Sequence, residues 1–334
     1  MDGLAAHPGA ERRAQALSRL LDPRSVAILG MSTKPDTAGH LVLRNLRMNG
    51  FTGPIHLVGR SAGEVDGLPV ETSIATLPEG VDVAVLALPA AAVGEALAAC
   101  AARGVNSAVV FASGFAETGE AARAEQDRLG RLARESGMLV LGPNCIGYTN
   151  YVAGFTVGFV SVSRVPRTPA GATDAVAIVA QSGGLANHLR LSLDFRGVPV
   201  SYNISTGNEI DLGLGDFVRH MLDDSSTRVV AIYAEHIRDT ASFFAAAERA
   251  RAVGKPVVLM HAGRGERAQE AAKSHTGALA GDHAVMRVKA ERAGVVVVDT
   301  LDELLDVTEI LSRHPLPGRP GGRHLLRRLL RHRA

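Results

Sequence analysis

Tryptophan is absent from this sequence, and aromatic residues together make up only 4% of it. So few rings cannot supply the stacking platform that single-stranded nucleic acid requires. Charge of one sign is lacking too. Thirty-six Lys and Arg stand against 34 Asp and Glu, leaving a formal net charge of +2, too little to draw nucleic acid electrostatically. The chain has only two cysteines, Cys100 and Cys145; they show no metal-ligand spacing and fit a reduced compartment. No metal ligands are assigned. No apolar run is long enough to span a bilayer, and Met1 to Leu21 mixes charge with Ala and Leu and lacks a signal-like apolar stretch. The expectation is a cytoplasmic protein that engages neither nucleic acid nor membrane.

The chain does have a core. It is 46% hydrophobic and 21% charged over 334 residues, enough apolar side chain to fill two domains of ordinary size. Apolar, β-branched runs at 25–30, 54–58, 83–88, 107–112 and 138–141 alternate with helical patterns at 40–49, 90–102 and 119–135. Runs apolar throughout suit strands covered on both faces, and strand–helix alternation implies a parallel sheet. The rhythm breaks at 148–173, which is rich in Gly, Pro, Ser and Thr and reads as a linker. It restarts with strands at 175–180, 199–204, 228–233, 256–261 and 295–299, and with helices at 185–196, 212–223, 240–253, 282–293 and 301–312. Two doubly wound α/β domains in tandem are expected, at 21–147 and 174–313. A helical extension (1–20) precedes them and a basic tail (314–334) follows. The tail has six arginines and no acid; Leu325, Leu326, Leu329 and Leu330 fall into one stripe, and a solvated basic end is the plain reading.

In the first domain, the first strand ends at Gly30 and runs into a loop before a helix. Such a loop can present backbone N–H groups to phosphate, or be only a tight turn. It is not G-x-G-x-x-G, and Val58-Gly59-Arg60 puts a cation where an NAD site places an acid. Arg60 instead suits a ribose phosphate, the 3′-phosphate of coenzyme A or the 2′-phosphate of NADP. The motif Gly30-Met-Ser32-Thr-Lys-Pro35-Asp-Thr-Ala-Gly39 resembles the CoA-binding loop of the NDP-forming acyl-CoA synthetases. Pro78-Glu-Gly-Val-Asp82, Ser113-Gly114-Phe115-Ala-Glu117 and Gly142-Pro143-Asn144-Cys145-Ile-Gly147 fit the same family. The resemblance implies a coenzyme A site lined by Gly30, Ser32, Pro35, Gly39, Ser113, Gly114 and Asn144. Arg60 stands where many members have an Asn-Pro-Lys-like turn, and would remake that phosphate contact.

In the second domain, Ala177-Ile-Val-Ala-Gln181 leads through Ser182-Gly183-Gly184 into a helix, whose first N–H groups and positive dipole end favour an anion. Ala180 stands where a serine-hydrolase elbow needs Gly, so Ser182 reads as a phosphate ligand or a helix cap and not as a nucleophile. Lys273-Ser-His275-Thr-Gly-Ala-Leu-Ala-Gly281-Asp282 follows a strand and a short loop. It strongly resembles the phosphohistidine motif of the same synthetases and, more distantly, of the succinyl-CoA synthetase alpha chain. The resemblance implies that His275 carries a phosphoryl group, Ser182, Gly183 and Gly184 hold it, and Glu235 orients the imidazole. A rim carboxylate without a role is the plain alternative for Glu235. Asn187 is assigned to the acid substrate by likeness to the succinyl enzyme. Gly207-Asn208-Glu209 forms a further turn near the site.

The resemblance spans roughly residues 20–313. It implies a Rossmann-like CoA-binding domain followed by a flavodoxin-like parallel-sheet domain. The reaction implied is acyl-CoA plus phosphate plus ADP giving acid, CoA and ATP, with ADP/ATP and Mg2+ held by an ATP-grasp domain not recognisable in this sequence. The expected partners are an acyl-CoA or carboxylic acid, CoA, phosphate and an ATP-grasp beta subunit, with oligomerisation possible in the family. The break in resemblance near His314 suggests a truncation or a frame shift. Two other readings compete: a non-catalytic CoA-binding protein or truncated remnant, and an NADP-dependent reductase.

Overall fold

A computed structural model of the chain describes residues 8–160, 166–169, 171–262 and 283–314. The motif containing His275 and the basic tail beyond residue 314 lie outside the described residues.

The first sheet is built from β1 (Val26–Met31), β2 (Ile55–Gly59), β3 (Gly63–Val65), β4 (Leu68–Glu71), β5 (Val83–Leu86), β6 (Ser107–Val110) and β7 (Leu139–Leu141). Its order is β3-β4-β2-β1-β5-β6-β7, and every pairing is parallel except that of β3 with β4. Helices α2 (Ala38–Met48), α3 (Ala90–Ala102) and α4 (Glu120–Ser136) cross over between strands. β5 and β6 are buried at every position, as expected of strands covered on both faces. Sequence reading missed the β3–β4 hairpin. Its turn is Asp66-Gly67, both with positive φ (50° and 75°), the backbone that Asp-Gly favours in a tight hairpin.

The second sheet contains β8 (Gly147–Asn150), β9 (Phe155–Gly158), β10 (Ala175–Ala180), β11 (Val200–Ser205), β12 (Thr227–Ala234), β13 (Val257–His261) and β14 (Val296–Val298). Their order is β14-β13-β12-β10-β11-β8-β9. Helices α5 (Gly183–Phe195), α6 (Leu214–Asp223), α7 (Thr240–Ala252), α8 (His283–Ala293) and α9 (Leu301–Arg313) flank it. The stretch 148–173, expected as a linker, contributes an antiparallel hairpin instead: β8 pairs with β9 and, through Tyr148–Asn150, with β11. Its Gly and Thr content suggested a loop, but Gly147 and Gly158 are required by close packing. A Cβ on Gly147 would lie 2.0 Å from the Val157 carbonyl oxygen.

The halves share one apolar core that runs from Leu20, Val42 and Leu46 through Tyr148 and Phe155 to Ile204 and Phe217. Helix α1 (Pro8–Leu21) straps across both. It buries Leu17, Leu20 and Leu21 and accepts at the Ala16 carbonyl from Asn106 of the first sheet (3.0 Å). The Leu20 carbonyl accepts from the Tyr148 hydroxyl and the Leu21 carbonyl from Asn150 (2.9 Å). Arg13 pairs with Asp211 (3.0 Å) and Asp216 (3.1 Å) of the second domain. Among the described residues no helix is long and apolar enough to cross a membrane.

Candidate functional site

Each sheet reverses its winding direction beside its central strand: β1 lies between β2 and β5, and β10 between β11 and β12. Ligands of open α/β sheets bind outside the carboxyl ends of the strands at such switch points. Both loops predicted to hold anions leave the central strands there.

At the first switch point Gly30 has φ +91°, and a Cβ on it would stand 2.2 Å from the Ala87 carbonyl oxygen beyond β5. Only glycine fits that approach. The Ser32 hydroxyl accepts from the Lys34 N–H (3.1 Å), and His40 Nε2 lies 2.5 Å from the Ser32 carbonyl. This folds the loop over the start of α2, with Pro35 exposed and Gly39 buried against Gly30 and Met31. Arg60 is exposed just after β2, whose terminal Gly59 packs on the Met31 carbonyl. Ser113 and Gly114 are exposed at the end of β6, on the same edge. The Gly114 N–H donates to Glu117 (2.7 Å). Asn144 behaves differently: its N–H is bonded to Ala112 and its side-chain amide to Asn208 (3.3 Å). It therefore belongs to the seam between the domains as much as to the cradle.

That seam brings the two carboxyl edges together. The Asn208 amide donates to Glu117 (2.8 Å) and Gln126 (2.9 Å), and its N–H to the Pro143 carbonyl. Gly207 (φ +60°) allows the approach, since a Cβ there would meet the Pro143 oxygen at 2.2 Å. Burial favours the neutral form of the Glu117 carboxyl, but its backbone N–H partners and Asn208 outweigh this and lower its pKa.

At the second switch point Ser182 caps α5, its hydroxyl accepting from the Leu185 N–H (3.4 Å). Gly183 sits tight against Ile146, whereas Gly184 is open. Glu235, half-buried, directly follows β12, the neighbouring strand. The side chain of Gln181 ties the two together. Its Oε1 accepts from the N–H groups of Glu235 (2.7 Å) and His236 (2.9 Å), and its Nε2 donates to the His236 carbonyl (2.5 Å). Glu209 is 8% exposed and takes the Thr206 hydroxyl at 2.8 Å. Burial pushes its carboxyl up to about 7, against Gln181, Thr206 and Arg238, which favour the charged form. His261, at the end of β13, is lowered to about 4 by burial and by neighbouring His283 and His236. Asn187 lines a narrow cleft beneath α5 with Arg190, Tyr151 and Asn203. Asn203 is 9% exposed, and among the described residues its Oδ1 has no hydrogen-bond partner.

Ser182, Gly183, Gly184 and Glu235 thus converge on one strand-end cluster, with Asn187 one turn along α5. Sequence reading placed Glu209 in a turn near the site without a role, and missed Gln181, Asn203 and His261. Gln181 alone left a signal, a polar residue ending an otherwise apolar strand. Among the described residues no His, Cys, Asp or Glu cluster fit for a metal occurs.

Residues 24–151 match the family described as CoA binding domain, and residues 173–311 match that described as succinyl-CoA ligase like flavodoxin domain. The chain is 45% identical over 305 residues to a trans-feruloyl-CoA synthase from an unknown prokaryotic organism, covering 91% of this chain and 43% of that protein. It is 32% identical over 301 residues to the alpha subunit of the ADP-forming acetate–CoA ligase II of Pyrococcus furiosus, covering 90% of this chain and 64% of the subunit. A solved structure of the Ca. Korarchaeum cryptofilum dinucleotide-forming acetyl-coenzyme A synthetase 1, in complex with phosphate and ADP, superposes with a TM-score of 0.81 at 33% identity, over 91% of this chain and 64% of that one. The chain therefore spans 43% to 64% of the length of these relatives.

Proposed function

The chain belongs to the NDP-forming acyl-CoA synthetase family, of which it carries the CoA-binding and flavodoxin-like domains, and on that premise we propose that it performs the acyl-phosphate and phosphohistidine steps of a reversible acyl-CoA–ADP exchange. A phosphate oxygen attacks the thioester carbonyl; CoA leaves as thiolate, and an acyl phosphate forms. The His275 imidazole then attacks phosphorus, the carboxylate leaves, and phosphohistidine remains. The terminal oxygen of ADP takes the phosphoryl group and frees the histidine. That last step is assigned to an ATP-grasp partner, which would hold the nucleotide and Mg2+.

One observation carries this reading: the two switch-point loops open on carboxyl edges that the Asn208 seam joins. CoA bound at Gly30, Ser32, Pro35, Gly39, Arg60, Ser113 and Gly114 would direct its thioester toward the second edge. There the N–H groups at Ser182, Gly183 and Gly184 and the dipole of α5 favour the phosphoryl anion, and Glu235 would fix the histidine tautomer. Asn187 would touch the acid.

The test is transfer of radiolabelled phosphate to the full chain in the presence of acetyl-CoA or feruloyl-CoA, the acyl groups that the names of the relatives suggest. Acid-labile, base-stable label on wild type and none on His275→Ala supports the relay. CoA binding without label on wild type would favour a non-catalytic CoA-binding protein.

A further inference from the structure

We infer that Gln181 is a positioning residue for the phosphate relay, clasping the anion-holding turn to the turn that carries Glu235, and that Glu209 fixes which way its amide faces; this rests on the function proposed above. The two turns leave adjacent parallel strands, with Gln181 the last residue before Ser182. Its side chain is 7% exposed. Three backbone polar groups at the end of β12 terminate on it: the N–H groups of Glu235 and His236 on Oε1, and the His236 carbonyl on Nε2. Left unpaired and buried, each would carry a desolvation penalty. An oxygen alone can accept from two N–H groups at once, so only one of the two amide orientations is productive.

Glu209 reinforces that orientation. Its carboxyl accepts from the Thr206 hydroxyl at 2.8 Å, and Gln181 favours its charged form. The residue takes left-handed backbone, φ +54°, uncommon for a side chain of this kind. A Cβ on Gly213 would stand 3.2 Å from its Oε2, so the glycine leaves room for the inward carboxyl. The charged groups bearing on it come from each element around it. They are Arg238 after β12 and Asp216 on α6, with Arg123 and Asp127 of α4 acting on Arg238. Arg13, Arg134 and Asp211 line the same cleft. With its carboxyl pushed up to about 7, Glu209 changes charge within the working range. As a carboxylate it only accepts and so secures the amide nitrogen; once protonated it loses that one-way demand.

The experiment uses the full chain, acyl-CoA and labelled phosphate, with Gln181→Met and Glu209→Gln beside wild type. The rate of label incorporation is followed from pH 5.5 to 8.5, CoA affinity by calorimetry, and amide hydrogen exchange at Glu235 and His236 by mass spectrometry. Gln181→Met is expected to slow labelling roughly 10- to 100-fold, speed exchange at those two amides, and leave CoA affinity unchanged. Glu209→Gln is expected to lose the inflection near pH 7 that wild type shows. Labelling by Gln181→Met at the wild-type rate, unchanged exchange, or a persisting inflection in Glu209→Gln would overturn the inference while leaving the relay standing. Absence of label on wild type itself would instead overturn the relay reading.

Discussion

Replacing Glu209 by glutamine is expected to stabilise the protein at alkaline pH and not at acid pH. In the fold this carboxyl keeps its proton up to about pH 7, whereas its ordinary value is 4.5. Folding therefore takes up a proton between those limits. The folded state is favoured below about 4.5, loses that advantage as pH rises through the window, and levels off once the buried group has ionised. The difference amounts to about 3 kcal/mol. Glutamine fills nearly the same space and does not titrate, so its stability lacks this slope. Every other group titrates alike in both proteins and cancels in the comparison. The melting temperature of Glu209→Gln minus that of wild type should thus climb by about 4 °C from pH 4.5 to pH 8, given the unfolding entropy of a chain this long. Scanning calorimetry across that range decides it. Parallel curves, or a difference that narrows with rising pH, would refute the claim that a buried acid ionises inside this fold.

Three more outcomes are expected. Gly207→Ala forces a Cβ to within 2.2 Å of the Pro143 oxygen at a positive φ. It should cost about 3 kcal/mol, read as a lower urea midpoint, and should open the seam to limited proteolysis. Asn208→Ala leaves Glu117 and Gln126 without their shared amide donor, a loss of about 1–3 kcal/mol by thermal melting. Cys100 and Cys145 are buried, and burial pushes both thiols up to about 12. A thiol reagent at pH 8 should label neither in the native protein and both after unfolding in urea.

The strands legible in the sequence were those whose side chains meet apolar neighbours on both faces. β10, Ala175–Ala180, is buried at all six positions, and an unbroken apolar run admits few other readings. The helix starts at Ala90 and Leu301 were equally plain, and the structure closes the latter with a Thr300–Glu303 capping box. The hairpins were harder. β8 reads Gly-Tyr-Thr-Asn, and Thr149 is buried only because it meets Thr156 across the hairpin (3.0 Å), a pairing no local pattern announces. The same holds at the site. Ser182 and the loop from Gly30 are marked by position between a strand and a helix. Gln181 and Glu209 act through partners 54 and 28 residues away in the chain respectively, and separations of that kind leave no periodic trace. Asn144 was read as a ligand from its motif, and only the fold reveals its bond to Asn208.

The β8–β9 hairpin bears on how such a chain can be cut and recombined. The match to the CoA-binding family runs to residue 151 and that to the flavodoxin-like family starts at 173. β8 therefore falls within the first span, yet it pairs with β11, while β9 falls in neither span. From the other side, Asn45 of α2 donates to the carbonyls of Gly158 and Val160 (both 2.8 Å). Each half thus holds a piece of the other's interior. A chimera joined at 151 would take β8 from one parent and β9 from another and ask them to pair. Exchange between relatives should succeed only when residues 147–160 travel with the second sheet and the α2 surface is matched to them, so this joint is inherited as a unit and the domains are poor cassettes.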